Sequence, residues 1–224
     1  MTKGILFSQM IPQPGDEERF NIWYNEDHVP ARMVLPHFLA GSRFEPVPGT
    51  GTPDFLAIYE VEDLAAFQSE EYKNLKKDPS GETTIMLSRV SGFTRYISEL
   101  IDDTGEIETP GAYLSVVAFS VPDDEEEDFN NWYAGEHIPM LMKASDWPRV
   151  RRYKVIDGAG GPWTHIALHE IANLDVMDSP ERAAARKGPV RRTLVDRDWF
   201  SRSGRWLYKL LSQQHAIATA KAGE

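Results

Sequence analysis

Short, largely apolar segments from Gly4 to Ile11, from Gly41 to Pro46, from Phe55 to Val61 and from Thr94 to Leu100 read as four strands. After the first strand the pattern changes. Phe20, Trp23, Tyr24, Asp27 and His28 fall within an arc of about 140° at 3.6 residues per turn, the spacing of an amphipathic helix. Asp16, Glu17 and Glu18 suit the positive N-terminus of that helix, and Pro30 predicts its end near His28 by disfavouring α geometry at Val29. A second helix is expected over Asp63 to Leu75. Further along, Asp123 to Asp128 repeat the acidic helix start, and Ser179 with Pro180 caps a helix running through Ala183, Ala184 and Ala185.

The pattern occurs twice. Phe20-Asn21-Ile22-Trp23-Tyr24-Asn25-Glu26-Asp27-His28-Val29-Pro30 returns, at an offset of 109 residues, as Phe129-Asn130-Asn131-Trp132-Tyr133-Ala134-Gly135-Glu136-His137-Ile138-Pro139. Met33 and Met142, Arg43 and Arg152, and Phe44 and Tyr153 keep the same offset. One residue more aligns Ala57-Ile58-Tyr59-Glu60-Val61 with Ala167-Leu168-His169-Glu170-Ile171. A duplication follows. The acidic, Gly/Pro-punctuated stretch from Ile101 to Gly111 lacks periodicity, which divides the chain into halves 1–105 and 106–224. Strand-helix-strand twice over in each half is the ferredoxin-like plan, an antiparallel sheet covered by helices on one face. The expected fold class is therefore α+β: two such repeats pair their bare faces and close a barrel within one chain, as an intramolecular pseudo-dimer.

Composition narrows the function. The chain has no cysteine, which removes disulfides, thiolate nucleophiles and cysteine-ligated metals. Its formal charge of −11 argues against a nucleic-acid partner, and Arg186-Lys187 with Arg191-Arg192 are assigned to a solvated face. No apolar run approaches the roughly 20 residues of a membrane span, and Met1 to Gly4 lead straight into a strand, so a cytoplasmic protein without membrane contact is expected. The glycines of Gly49-Thr50-Gly51 and Gly158-Ala159-Gly160-Gly161 lack the strand-to-helix setting of a phosphate cradle.

Trp23-Tyr24-Asn25-Glu26-Asp27-His28-Val29-Pro30, with Leu35-Pro36-His37-Phe38 and Arg43-Phe44, resembles the EthD-like branch of the dimeric α+β barrel superfamily. The second copy matches through Trp132-Tyr133, Glu136-His137-Ile138-Pro139, Trp147 and Arg152-Tyr153. The resemblance implies the barrel; the superfamily it points to includes cofactor-free cyclases, isomerases and monooxygenases, haem enzymes and members without known activity. The copies differ after Pro139, where Lys143-Ala144-Ser145-Asp146-Trp147-Pro148 replaces Val34-Leu35-Pro36-His37-Phe38-Leu39, so two unequal pockets are expected.

His28 and His137 each end an aromatic stripe beside an acid, Asp27 or Glu136, a setting that suits a general base; the alternative is a helix cap. Tyr24 and Tyr133 are candidate donors to a developing enolate, and Trp23 and Trp132 candidate pocket walls. In the third strand Phe55, Ala57 and Tyr59 become His165, Ala167 and His169 on the same face, two histidines about 13 Å apart, too far to share one metal. They are candidate substrate contacts, as are Arg43 and Arg152, for which an ion pair within the sheet is the alternative. No metal and no cofactor is expected. The leading function is a cofactor-independent lyase, isomerase or cyclase acting on a small aromatic or polyketide-like molecule by His-assisted proton transfer. A cofactor-free monooxygenase and a non-catalytic binding protein are the alternatives, and a further homodimer fits the pattern.

Overall fold

The computed structural model describes residues 1–107 and 110–217. Strands β1 (Gly4–Ile11), β2 (Phe38–Pro46), β3 (Phe55–Val61) and β4 (Ser91–Gly105) belong to the first half, and β5 (Tyr113–Phe119), β6 (Arg149–Ala159), β7 (His165–Ile171) and β8 (Gly204–His215) to the second. All pairings are antiparallel, and the eight strands close into a barrel in the order β1-β3-β2-β8-β5-β7-β6-β4. Each half contributes a four-stranded sheet with its first strand between its third and fourth. The halves join at two equivalent seams, β2 with β8 and β4 with β6. The expected α+β pseudo-dimer is the observed architecture.

Alternation along the strands sorts side chains between two environments. Ile5 and Phe7 of β1 point into the barrel, where they meet Leu114 and Val116 of β5 and Ile166 and Leu168 of β7. Leu6 and Met10 point outward to the helices of the first half, and Val117 and Phe119 to those of the second. At roughly 1.5–3 kcal/mol per fully buried large side chain, this two-sided burial is what holds the sheet in one register. His165, Ala167 and His169 lie on the outward, helix-facing side with Ile171 of the second core.

The helices depart from expectation in three places. Helix α1 (Glu17–Trp23) does not stop at His28: it widens into a π turn, Tyr24–His28, and continues as α2 (Pro30–Met33). Val29 is itself α-helical, at φ −72° and ψ −51°. A proline inside an α-helix meets the carbonyl four residues back, here Glu26, and the extra residue of a π turn moves that carbonyl away. Second, the expected single helix from Asp63 to Leu75 is broken at Ser69 into a 3₁₀ segment, Leu64–Gln68, and α3 (Glu70–Lys77), because Asp63 caps the former and Ser69 the latter. Third, α4 (Gly81–Arg89), capped by Ser80, was not anticipated.

The second half repeats this plan with α5 (Glu126–Trp132), a π turn Tyr133–His137, α6 (Ile138–Leu141), α7 (Pro180–Ala185), α8 (Pro189–Leu194) and α9 (Asp198–Ser201). Ser179 caps α7 at the Arg182 amide and Pro180 sits in its first turn, as the sequence predicts. Among the described residues no helix is long and apolar enough to cross a membrane.

Candidate active site in the second half

Both motif copies owe their geometry to the π turn. The Val29 amide donates to the Tyr24 carbonyl at 2.9 Å, and the Ile138 amide donates likewise to Tyr133. Closing the turn over five residues leaves Tyr and His on one side of the helix. Their ring centroids are 5.0 Å apart for Tyr24 and His28 and 5.2 Å for Tyr133 and His137, and each imidazole also touches the motif tryptophan, at 4.5 Å from Trp23 and 5.0 Å from Trp132. Isolated π turns of this kind concentrate at functional sites.

In the first half these groups are packed shut. His28 is 7% exposed, Tyr24 2% and Tyr59 1%. Arg32 donates to the His28 carbonyl at 2.7 Å and lays its guanidinium over the Tyr59 ring at 5.1 Å. Phe38 and Tyr72 complete the cluster, 5.8 Å apart. Tyr24 directs its hydroxyl to the Met10 sulfur at 3.6 Å, and its pKa is pushed up to about 12 by burial. Burial also holds His28 well below the ordinary imidazole value.

The second half is open at the equivalent place. A cavity of about 340 Å³ lies between the outer face of the sheet and the helices, walled by Phe119, Trp132 and Trp147, with Tyr133, His137 and His169 at its surface. The repeat explains the opening: Leu141 stands where Arg32 closes the first half, at the 109-residue offset, and His169 stands where Tyr59 does, at 110. Thr50 and Thr52, on the β2–β3 hairpin of the first half, reach the same cavity, so both halves build it.

Hydrogen bonds define the polarity of this site. The Trp147 indole N–H donates to His169 Nδ1 at 3.1 Å, and His169 Nε2 lies 2.8 Å from the Tyr133 hydroxyl. An indole nitrogen only donates, so His169 Nδ1 accepts and its single proton sits on Nε2. Burial first, and the neighbouring His137 second, keep His169 well below its ordinary pKa and so neutral. His169 therefore donates to Tyr133, and the Tyr133 proton is left to donate elsewhere. Burial raises the Tyr133 pKa against the opposing charge of Arg205, which keeps that proton in place. His137 is partly exposed; burial lowers its pKa to about 4 although the Ala185 backbone acts the other way, and its Nδ1 is buried without a hydrogen-bond partner.

The remaining candidates sit apart from the cavity. Asp27 accepts from Ser80, which caps α4, and Glu136 accepts from the Val190 and Arg191 amides at 2.8 and 2.9 Å, at the N-terminus of α8. Both carboxylates anchor a neighbouring helix rather than an imidazole. His165 contacts Thr164 at 3.0 Å and Glu126 at 3.4 Å, away from His169. Arg43 stacks on Tyr24 at 4.3 Å and donates to Asn21 at 2.9 Å, while Arg152 stacks on Tyr133 at 5.1 Å, donates to Asn130 and lies 3.8 Å from Asp102. These arginines brace the backs of the two tyrosines. Trp23 donates to Thr83 at 2.9 Å within the first core.

Four arginines at the cavity were not anticipated there: Arg182, Arg186, Arg191 and Arg205. The assignment to a solvated face is corrected for Arg191, which α8 carries partly buried to the cavity, while Arg186 stays exposed at the cavity's rim. Lys187 and Arg192 are exposed.

No protein-family model and no curated protein sequence matches this chain. Solved structures do. A protein described as anthrone oxidase-like superposes with a TM-score of 0.67 at 11% identity, covering 100% of this chain and 97% of the other. A variant of chlorite dismutase from Candidatus Nitrospira defluvii superposes with a TM-score of 0.53 at 11% identity, covering 94% and 92%. At such identities the likeness is one of fold, the dimeric α+β barrel, completed here inside one chain.

Proposed function

We propose that this chain is a cofactor-independent enzyme of the EthD-like kind that moves a proton on a small aromatic or polyketide-like molecule bound in the cavity of its second half. His137 is the base, and Tyr133 donates a hydrogen bond to the oxygen that gains charge as the proton leaves. The observation that carries this reading is the chain from Trp147 through His169 to Tyr133, which turns the Tyr133 proton away from its neighbours and toward a ligand. A donor fixed before reaction stabilises an enolate or phenolate without reorganisation, worth roughly 2.7–4 kcal/mol per donor in comparable sites. A neutral imidazole beside it is ready to accept a proton at pH 7. Its depressed pKa makes His137 a modest base in the empty site, and an anionic intermediate alongside favours its protonated form.

The aromatic walls, Phe119, Trp132 and Trp147, suit a flat conjugated ligand whose deprotonation is eased by delocalisation. Lyase, isomerase and cyclase chemistry all begin with this step. A second reading, cofactor-free oxygenation, is favoured by the fold likeness to the anthrone oxidase-like protein. It uses the same base, after which the substrate carbanion reacts with dioxygen; for anthrone the balance is one dioxygen consumed, with anthraquinone and water formed.

Anthrone itself is a suitable probe, with a methylene flanked by two rings. Deuterium exchange at that carbon reports proton transfer, and an oxygen electrode separates the two readings. Exchange should exceed that in buffer and fall about 100- to 10,000-fold in His137→Ala. Exchange in a folded His137→Ala protein equal to that of the parent overturns the assignment.

A further inference from the structure

We infer that the arginines around the mouth of this cavity, Arg182, Arg186, Arg191 and Arg205, receive a permanent carboxylate, so that the substrate is an aromatic or polyketide-like acid entering with its ring system foremost. This rests on the cavity being the ligand site of the proposed function and names the class of ligand. Arg186 and Arg205 remain exposed and Arg182 and Arg191 are partly buried, whereas Phe119, Trp132 and Trp147 are buried, so the four mark the open side of the cavity.

Their partners set them apart from seven of the other arginines, and Arg32, Arg43, Arg192 and Arg202, which also have no carboxylate within 4.0 Å among the described residues, do not line the cavity. Arg19, Arg89, Arg95, Arg149, Arg151, Arg152 and Arg197 each lie within 4.0 Å of a carboxylate. Among the described residues no carboxylate lies within that distance of Arg182, Arg186, Arg191 or Arg205, in a chain with 35 acidic residues and 24 basic ones. Three of the four are instead held by groups that carry no charge. Arg182 donates to the Met177 carbonyl, Arg191 donates to the Arg186 carbonyl at 2.8 Å and lies over Phe200 at 5.0 Å, and Arg205 donates to the Ser203 hydroxyl at 3.1 Å. A guanidinium has five N–H donors in a planar fork, so each of these keeps donors for a planar carboxylate.

The repeat supplies an internal control. The capping serines Ser69 and Ser179 stand 110 residues apart, which aligns Tyr72 with Arg182 and Lys76 with Arg186. Tyr72 is buried in the closed first half, whereas Arg182 lines the open second half. At this position the charge appears where the cavity does, whereas the Arg186 position is cationic in both halves, as Lys76 in the first. The four arginines also gather a local positive field in a protein of net charge −11, which raises the encounter rate for an anion.

The test is calorimetric binding of 2-naphthoate against its neutral isostere 2-naphthamide. In the parent protein naphthoate should bind at least about tenfold tighter, and the advantage should shrink as salt is raised. Arg182→Gln/Arg205→Gln should bring the two ligands to within about twofold, and the exposed Arg186→Gln, which cannot disturb the core, should lose part of the preference. Binding reads this preference and deuterium exchange reads proton transfer, so a failure of the proton-transfer assignment leaves this result standing. Equal binding of acid and amide, no binding of either, or a preference that survives the double arginine variant overturns the inference.

Discussion

In the first half His28 lies 4.5 Å from Trp23 under a lid of Arg32, Tyr59 and Tyr72; in the second, His137 lies 5.0 Å from Trp132 at the edge of a cavity of about 340 Å³. The backbone of the two copies is the same down to the π turn. The side chains that differ, Arg32 against Leu141 and Tyr59 against His169, decide which copy has room for a ligand. Large side chains thus fill in the first half the space that the second half leaves open. The shared motif by itself specifies the turn, and its neighbours specify the use.

The largest effect that breaks this comparison is the paired removal of the two imidazoles. His137→Ala should lower anthrone exchange by about 100- to 10,000-fold with a small change in melting temperature. His28→Ala should leave exchange within about threefold while costing about 2 kcal/mol or more of stability, the order seen when a buried ring is truncated in a packed core. Similar rate losses in both, each tracking stability, remove the distinction between the halves.

Next in size, Tyr133→Phe should slow exchange by about 100- to 1,000-fold, as expected for one lost donor to a developing oxyanion, while Tyr24→Phe should not. Tyr133→Phe also strands the His169 Nε2 proton, at a cost of about 1–3 kcal/mol. Thermal unfolding of the two variants beside their exchange rates checks both statements. A smaller change follows from exchanging the fillings. Leu141→Arg with His169→Tyr should close the second half and weaken 2-naphthoate by about tenfold or more without loss of fold. Retained affinity in that double variant places the ligand elsewhere.

Much of the architecture was legible because it depends on periodicity. Short apolar segments located the strands, and the repeat of Phe20 to Pro30 as Phe129 to Pro139 implied the pseudo-dimer before any contact was known. Proline misled: Pro30 and Pro139 forbid an ordinary α register, and a π turn satisfies that rule without ending the helix. Helix α4 was hidden by weak amphipathicity, although Ser80 followed by Glu82 is a helix-start signal that could have found it. The acids beside the histidines misled for a geometric reason, since residues i and i+1 of a helix point in different directions. Glu136 consequently reaches α8 and Asp27 reaches Ser80. Two of the arginines of the cavity mouth, Arg186 and Arg191, were visible within a basic cluster, but the direction they face depends on how α7 and α8 lie across the sheet. That arrangement is set by Ser179 and Glu136, residues distant from the cluster's own pattern.

The smallest expected effect sharpens the comparison through pH. His28, His137 and His169 are all held below the ordinary imidazole value by burial, His137 to about 4 and the other two well below 6.5. Below pH 6.5 the unfolded chain takes up protons that the folded chain refuses, so stability rises with pH through this window and is lost as the pH falls. Each such group contributes a slope of up to about 1.4 kcal/mol per pH unit between its folded and unfolded values. The melting temperature should therefore be level above about pH 7 and fall steadily toward pH 5. Replacing either histidine with glutamine should flatten that fall, equally at first. Near pH 4 His137 protonates in the folded protein and stops contributing to the slope. A fall toward pH 5 that is as steep in His137→Gln as in the parent protein would show that burial does not hold this imidazole neutral.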